Sequence, residues 1–234
     1  MADTRPTPWL EEWDRGQHAY FGDRHKVAHF AALARSLEPH LPADGVLLDY
    51  GPGDALHVPA VAPTCREVVL CEAAPRIRAG LADRFGDHPD VRVIGPADLP
   101  DLAPGSVDVV LVQSVLQYLT APELDALLAE AARLLPPGGV LLLGDLVAPG
   151  AGPGADLAEL VRFAVRGRFL RAALARLAAL PASTYARTRR RHGLATHAVD
   201  TLTATVAAHG FTARPLERNL GNNAARWTLH ARLR

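Results

Sequence analysis

Apolar residues along this chain fall into two patterns: short uninterrupted runs, and longer stretches where they recur every three to four positions. The runs, dense in Val and Leu, predict strands near 46–50, 67–72, 91–94, 107–113, 140–145, 211–217 and 226–233. Their lack of polar alternation fits strands covered on both faces. The periodic stretches predict helices near 24–40, 55–62, 75–85, 122–135 and 197–209. Strand and helix signals that alternate in this way describe an α/β fold, a mostly parallel sheet with helices on both faces. Local chemistry sharpens some boundaries. Thr120-Ala-Pro-Glu123 has capping-box spacing with proline in the first turn, and Pro136-Pro-Gly-Gly139 stops the helix that follows. Thr196 is expected to cap the last helix and Gly210 to end it.

One stretch departs from the alternation. Ala148-Pro-Gly-Ala-Gly-Pro-Gly154 reads as a flexible connection, after which Leu157, Leu160, Val161, Ala164, Leu170, Leu174 and Leu177 recur at helical spacing. An insertion after the fifth strand emerges at the carboxyl edge of the sheet, where open α/β sheets bind ligands, so a helical lid is expected. Between Leu160 and Ala195 stand nine arginines and no acid, either solvated helix faces or a surface that recognises an anionic group.

Length and composition agree with one soluble domain of 234 residues. No apolar run approaches the roughly 20 residues of a membrane span, and the amino terminus lacks a secretion core. The only cysteines, Cys65 and Cys71, are too few for a disulfide framework, so a cytoplasmic location is expected. The formal net charge of zero gives no reason to expect nucleic acid or membrane as partner. A small-molecule substrate is expected, with a homodimer left open.

The chemistry begins at Asp49-Tyr-Gly51-Pro-Gly53. An apolar strand ending in an acid and then Gly-x-Gly describes a tight turn whose missing Cβ atoms let a nucleotide-like ligand approach the backbone. About twenty residues on, Glu72 closes the second strand, where an acid can accept hydrogen bonds from ribose hydroxyls. Gly-x-Gly alone serves dinucleotides as well as S-adenosylmethionine. The third glycine of a dinucleotide fingerprint is Leu56 here, which counts against NAD.

With these residues the chain resembles the class I S-adenosylmethionine-dependent methyltransferases. Asp49-Tyr-Gly51-Pro-Gly53 looks like their first motif, Glu72 like their ribose-binding acid, and Ala97-Asp98-Leu99 like the segment that holds adenine. Val107 to Ser114 resembles their fourth strand and Ala131 to Leu143 their fifth motif. The resemblance implies a Rossmann-like seven-stranded, mostly parallel sheet with an antiparallel last strand. It divides the chain into an N-terminal helical cap (1–40), a cofactor-binding core (41–147), the lid insertion (148–195) and a last helix with β-hairpin (196–234). It also implies S-adenosylmethionine as cofactor, held by Asp49, Gly51, Gly53, Glu72, Ala73, Asp98, Leu99, Gln113 and Ser114.

Methyl transfer needs chiefly that nucleophile and methyl be held in line, and a protonated nucleophile gains from a nearby base. The base candidates are His25 and His29, one turn apart on the N-terminal helix, and Tyr185, with His57 and His192 behind them. His25 and His29 at i and i+4 also suit a metal, but spacing supplies no third ligand, so no metal is expected. Trp9, Trp13 and Tyr20-Phe21 can shield a sulfonium or pack the helix against the core. Tyr118, beyond the fourth strand, is a substrate-side candidate. All three asparagines, Asn219, Asn222 and Asn223, lie between the last two strands. If that connection opens on the ligand side, Asn222, Asn223 and Arg226 can bind a polar substrate. No Asp/Asn-Pro-Pro-Tyr/Phe sequence follows the fourth strand, which disfavours methylation of a base amine or a protein glutamine. Two alternatives share the fold: an enzyme that displaces methylthioadenosine, by ring closure or aminocarboxypropyl transfer, and a non-catalytic scaffold.

Overall fold

The computed structural model describes residues 8–15, 20, 22–150, 153–167, 170, 174 and 184–234, with side-chain positions for all of these except 8, 153–158, 160 and 184–186. Seven strands form one sheet: β1 (Val46–Tyr50), β2 (Glu67–Cys71), β3 (Val91–Ile94), β4 (Val109–Gln113), β5 (Val140–Leu146), β6 (Phe211–Pro215) and β7 (Trp227–Leu233). Their order is β3-β2-β1-β4-β5-β7-β6. The first five are mutually parallel, and β7 runs antiparallel between β5 and β6. The sheet therefore reverses its direction of progress between β1 and β4, and the carboxyl ends of those strands flank the crevice where such sheets take ligands.

The period of two along each strand sorts side chains onto two cores. Leu48, Val69, Val110, Val112, Leu141 and Leu143 face α5 (Ala121–Leu134) and a later helix at Val199–Ala208, through Leu128, Leu134, Leu202 and Val206. Leu47, Val68, Leu70, Leu111 and Leu142 face α2 (Asp23–Leu37) and α4 (Pro75–Phe85), through Phe30, Leu33, Leu37, Leu81 and Phe85. Each such fully buried leucine contributes about 1.5–3 kcal/mol. The expected Thr120 capping box is present: Glu123 N–H donates to Thr120 Oγ1, and Thr120 N–H to Glu123 Oε2 at 2.7 Å.

Two local expectations are corrected. The helix expected over 55–62 is a single turn, α3 (Val58–Val61), because tight turns close at Ala55 and Val58 and a 3-10 segment containing Pro63 follows at once from Ala62. Thr196 caps nothing. The last helix starts at Val199 behind Ala198, since residues 195–197 are held along the sheet edge: Ala195 N–H donates to the Gln117 carbonyl (2.9 Å) and His197 N–H to that of Val147 (2.7 Å). Gly210, at φ +90°, does end that helix.

Outside the sheet layers lie α1 (Pro8–Asp14), α6 (Pro153–Arg166) and α7 (Thr184–His192), which makes Val199–Ala208 α8. α1 packs against α4 and α7. Asp14, its last residue, caps α4 from outside, Arg76 N–H donating to Asp14 Oδ1 at 2.7 Å, where Ala74 offers no side-chain cap. Within the segment expected as a lid, Phe163 and Ala164 of α6 pack on Ala28 of α2. Among the described residues no helix is long and apolar enough to cross a membrane.

Candidate active site

The turn after β1 is built by conformation that side chains rarely adopt. Gly51 has φ +75° and Gly53 φ +58°, and a Cβ on Gly51 would fall 2.6 Å from Val115 Cγ2. Glu72, just past β2, turns its carboxylate into this bend. Oε2 accepts from Gly53 N–H (3.2 Å) and Oε1 from Ala74 N–H (2.8 Å). Burial raises the Glu72 pKa, and the backbone amides of Ala74, Gly53 and Ala73 oppose that rise. Below the bend Asp49 Oδ2 lies 3.0 Å from His57 Nε2, both residues being 1 % exposed. Neither atom attains hydrogen-bond geometry with any described residue, and the His57 ring stacks on Phe30 with centroids 5.6 Å apart and planes 8° from parallel. The pairing of Asp49 with His57 was not foreseen.

A cavity of about 660 Å³ opens at the carboxyl ends of β1, β2 and β4. Of the residues singled out in the sequence, it is lined by Asp49, Gly51, Gly53, His57, Glu72, Ala73, Leu99, Gln113, Ser114, Tyr118 and His29. Trp9 and Trp13 reach it from α1, their rings 4.8 and 5.5 Å from that of Tyr118. Tyr20 and Phe30 line it beside His29. Asp98 does not line it: the residue is exposed and its Oδ2 accepts from Gly95 N–H (2.7 Å), fastening the turn that carries Leu99. Nor does His25, whose ring packs against Tyr20 and Phe163 at 5.6 and 5.7 Å. Desolvation, then the neighbouring His29, lower the His25 pKa to about 4, so that ring is neutral near pH 7. His192 is exposed, and Phe21 and the Tyr185 side chain lie outside the described residues. Asn223 accepts from Ala225 N–H (2.9 Å) through its own side chain, and neither it nor Arg226 reaches the cavity wall.

The far wall is held by a network that crosses the chain. Ser114 (φ +59°) and Asp145 (φ +62°), near the ends of β4 and β5, both occupy the left-handed region, uncommon for residues with a Cβ and frequent at functional sites. Ser114 Oγ donates to Asp145 Oδ2 (2.8 Å), and Asn219 Nδ2 donates to Asp145 Oδ1 (3.1 Å). Asn219 Oδ1 accepts from Asp145 N–H (3.0 Å) and from Thr228 Oγ1 (2.8 Å). The β6–β7 loop is thereby tied to β5, as Gln113 Nε2 also ties it by donating to the Leu220 carbonyl (3.1 Å). Gly144 makes room for Gln113, because a Cβ there would overlap Oε1. The loop delivers Asn222 to α2, with Oδ1 2.7 Å from His29 Nδ1. His29 has a lowered pKa, burial being the largest cause. Asp145 was missed, although an acid inside the apolar run Val140–Val147 is a visible signal.

Residues 48–143 match the family model described as a methyltransferase domain. Over these residues the chain carries a methyltransferase domain. A stretch of 94 residues, 38 % of the chain, is 31 % identical to the rRNA adenine N-6-methyltransferase of Saccharopolyspora erythraea and spans 23 % of that protein. The chain thus matches about a quarter of the length of this curated relative. Among solved structures, the N-methyltransferase NodS of Bradyrhizobium japonicum, in complex with S-adenosylhomocysteine, superposes with a TM-score of 0.58 at 18 % identity, covering 96 % of this chain and 95 % of its own. The YcgJ protein of Bacillus subtilis gives 0.55 at 16 % identity over 81 % and 71 %. At these identities the likeness is one of fold.

The cofactor of class I methyltransferases is S-adenosylmethionine, and the residues of this methyltransferase domain fit it. An ionised carboxylate has about four acceptor sites. Glu72 directs one oxygen to Gly53 and the other to Ala74, and the lone pairs that remain can accept from ribose hydroxyls. Asp49 also lines the cavity, placing a carboxylate at the foot of the glycine turn, with its Oδ2 turned inward to His57. Ala73, Ile77, Leu99 and Leu119 form apolar walls that suit a flat purine.

Proposed function

We propose that this protein transfers the methyl group of S-adenosylmethionine to a small-molecule acceptor. The observation that carries the reading is the continuity of one cavity from Glu72 and the Gly51–Gly53 turn to a wall of Tyr20, His29 and Phe30. When bound, the cofactor supplies an electrophilic methyl carbon beside a sulfonium. Glu72, Asp49 and the glycine turn bind and orient it. Trp9, Trp13 and Tyr118 exclude water and surround it with aromatic faces that favour a cation. His29, neutral because it is buried, takes a proton from the acceptor, a role worth about 10²- to 10⁴-fold. α6, packed on Ala28 of α2 next to His29, and α1, which is packed against α7 and brings Trp9 and Trp13 to the cavity, cover the acceptor side on this reading. That cover favours a compact molecule over a polymer that would have to thread beneath it.

Mass spectrometry of reactions with S-adenosylmethionine and a panel of hydroxyl- and amine-bearing metabolites, with a ribosomal RNA fragment alongside, tests the reading. S-adenosylhomocysteine with a methylated metabolite is expected. Methylthioadenosine as product, methylation of the RNA alone, or no cofactor binding by calorimetry would each overturn it.

A further inference from the structure

In this fold His29 reaches the cavity from α2 while Asn222 comes from the opposite end of the chain, 193 positions away. The loop carrying Asn222 is not loose. Asn219 bonds Asp145, Thr228 and, through Nδ2, the Asn223 carbonyl at 3.0 Å, which fixes the residues on either side of Asn222 to the end of β5. A neutral imidazole has one N–H donor and one bare acceptor nitrogen, and either nitrogen can hold the proton. An amide oxygen 2.7 Å from Nδ1 accepts only from the form protonated there. Nε2 makes no hydrogen bond among the described residues, and His29 lines the cavity.

We propose that Asn222 is a positioning residue that locks His29 in the Nδ1–H form, so that the bare Nε2 faces the acceptor as a proton-accepting atom. The proposal rests on methyl transfer as the function of the cavity and narrows its acceptor to the protic class. A hydroxyl or an amine N–H must lose its proton as its lone pair forms the new bond to carbon and the sulfur–methyl bond breaks, the pair staying on sulfur as S-adenosylhomocysteine leaves, and the proton passes to Nε2. A thioether or tertiary amine has no such proton and no use for this arrangement.

The groups facing His29 are Tyr20 from the segment before α2, His25 one turn earlier on α2, His57 from the turn after β1, and Asp145 from β5. Asp145 and the Asn222 bond favour the protonated ring, whereas burial and His57 disfavour it, and the net lowering keeps the ring uncharged near neutrality. Replacement of Asn222 by Ala removes the acceptor without adding charge. Asn222→Asp keeps an acceptor and adds a negative charge.

Long-range ¹H–¹⁵N correlation spectra of histidine-labelled protein read the tautomer directly and need no acceptor. The His29 ring is assigned by its absence in His29→Gln. The Nδ1–H pattern is expected in the native protein and in Asn222→Asp, with the titration midpoint of His29 moved upward in the latter, and its loss is expected in Asn222→Ala. An Nε2–H pattern in the native protein, or the same Nδ1–H pattern in Asn222→Ala, would overturn the proposal. S-adenosylhomocysteine affinity, read by calorimetry on the same samples, should be unchanged within threefold in both Asn222 variants. Absence of binding in the native protein would instead refute the underlying reading of the cavity, whatever the tautomer.

Discussion

Replacement of Glu72 by Ala isolates the contact on which the proposed cofactor recognition depends. The carboxylate directs its two oxygens to Gly53 N–H and Ala74 N–H, at 3.2 and 2.8 Å, and the lone pairs that remain can accept from the ligand. Hydrogen bonds to a charged group contribute about 1.5–3 kcal/mol each. Two of them at the low end make about 3 kcal/mol, or roughly 100-fold in Kd. Glu72→Gln keeps one carbonyl acceptor and is expected near 10-fold, on the same scale of about 1.4 kcal/mol per decade. Both changes also strand buried backbone donors, each costing about 1–3 kcal/mol of stability, which for a domain this size lowers Tm by about 2–4 °C per kcal/mol. Calorimetric titration with S-adenosylmethionine must therefore be run well below each variant's own transition, followed separately by scanning fluorimetry. Because burial raises the Glu72 pKa, affinity of the native protein should also weaken as the carboxyl takes up its proton, at a higher pH than an exposed glutamate would require. A folded Glu72→Ala protein that binds within about threefold of native, less than 1 kcal/mol, would refute the assignment of this carboxylate to the ligand.

Two further expectations follow from positions around the site. Gly51→Ala places a Cβ at φ +75° and 2.6 Å from Val115 Cγ2, so it should destabilise by about 1–3 kcal/mol from overpacking plus about 1–2 kcal/mol from the left-handed backbone. Urea unfolding should show that adding Val115→Ala to Gly51→Ala recovers some of the loss; no recovery would mean that Val115 is not the obstruction. His25 ionises at 6.5 when unfolded but at about 4 in the buried native site, so its contribution is intact above pH 6.5 and is lost as pH falls from there through 4. At about 1.4 kcal/mol per pH unit of that interval, the loss reaches at most about 3 kcal/mol. His29, His40, His197 and His230 are lowered in the same sense, so His25→Phe should flatten the acid limb of the stability curve only in part. Parallel curves for native and variant proteins between pH 7 and 4 would show that His25 titrates normally.

What the sequence discloses and what it withholds divide along the range of the interactions involved. Strand positions, the Thr120 capping box, the stop at Gly210 and the bend at Gly51 and Gly53 depend on neighbours within a few residues, and each appears where the local pattern places it. The failures are also local in appearance but distant in cause. Thr196 has the right chemistry for a cap, yet Gln117 and Val147 claim the backbone beside it before a helix can start. The span 55–62 has apolar spacing enough for a helix, but Pro59 and Pro63 with the tight turns at Ala55 and Val58 leave room for one turn. At the site, Asp98 carries the expected residue type, and its carboxylate satisfies Gly95 instead of facing the cavity. The Asp145–Asn219 bonds, 74 positions apart, and the His29–Asn222 contact have no sequence signature, since which polar groups meet is decided by how the strands register.

That division has a consequence for how acceptor choice is built into this fold. The adenosine-facing half of the cavity comes from β1, β2 and the turns that leave them, within Asp49 to Leu99, so its geometry is fixed by short-range chemistry around one parallel strand pair. The opposite half is lined by Trp9 and Trp13 of α1, Tyr20, and His29 and Phe30 of α2, and the β6–β7 loop reaches His29 from outside the cavity, held by Asn219 through bonds to Asp145 and Thr228. The left-handed non-glycine residues near the ends of β4 and β5, Ser114 and Asp145, are bonded to each other at 2.8 Å, and Asn219 holds Asp145 from its other side, so the strain at these neighbouring strand ends is stabilised by one shared network. Substitutions in the β6–β7 loop can therefore alter what approaches His29 while the Glu72 bend, built on the other side of β1, keeps its shape. Because the bonds of this loop through Asn219, Leu220 and Asn222 run to β5, β4, β7 and α2, acceptor specificity and cofactor binding are separable on the proposed function.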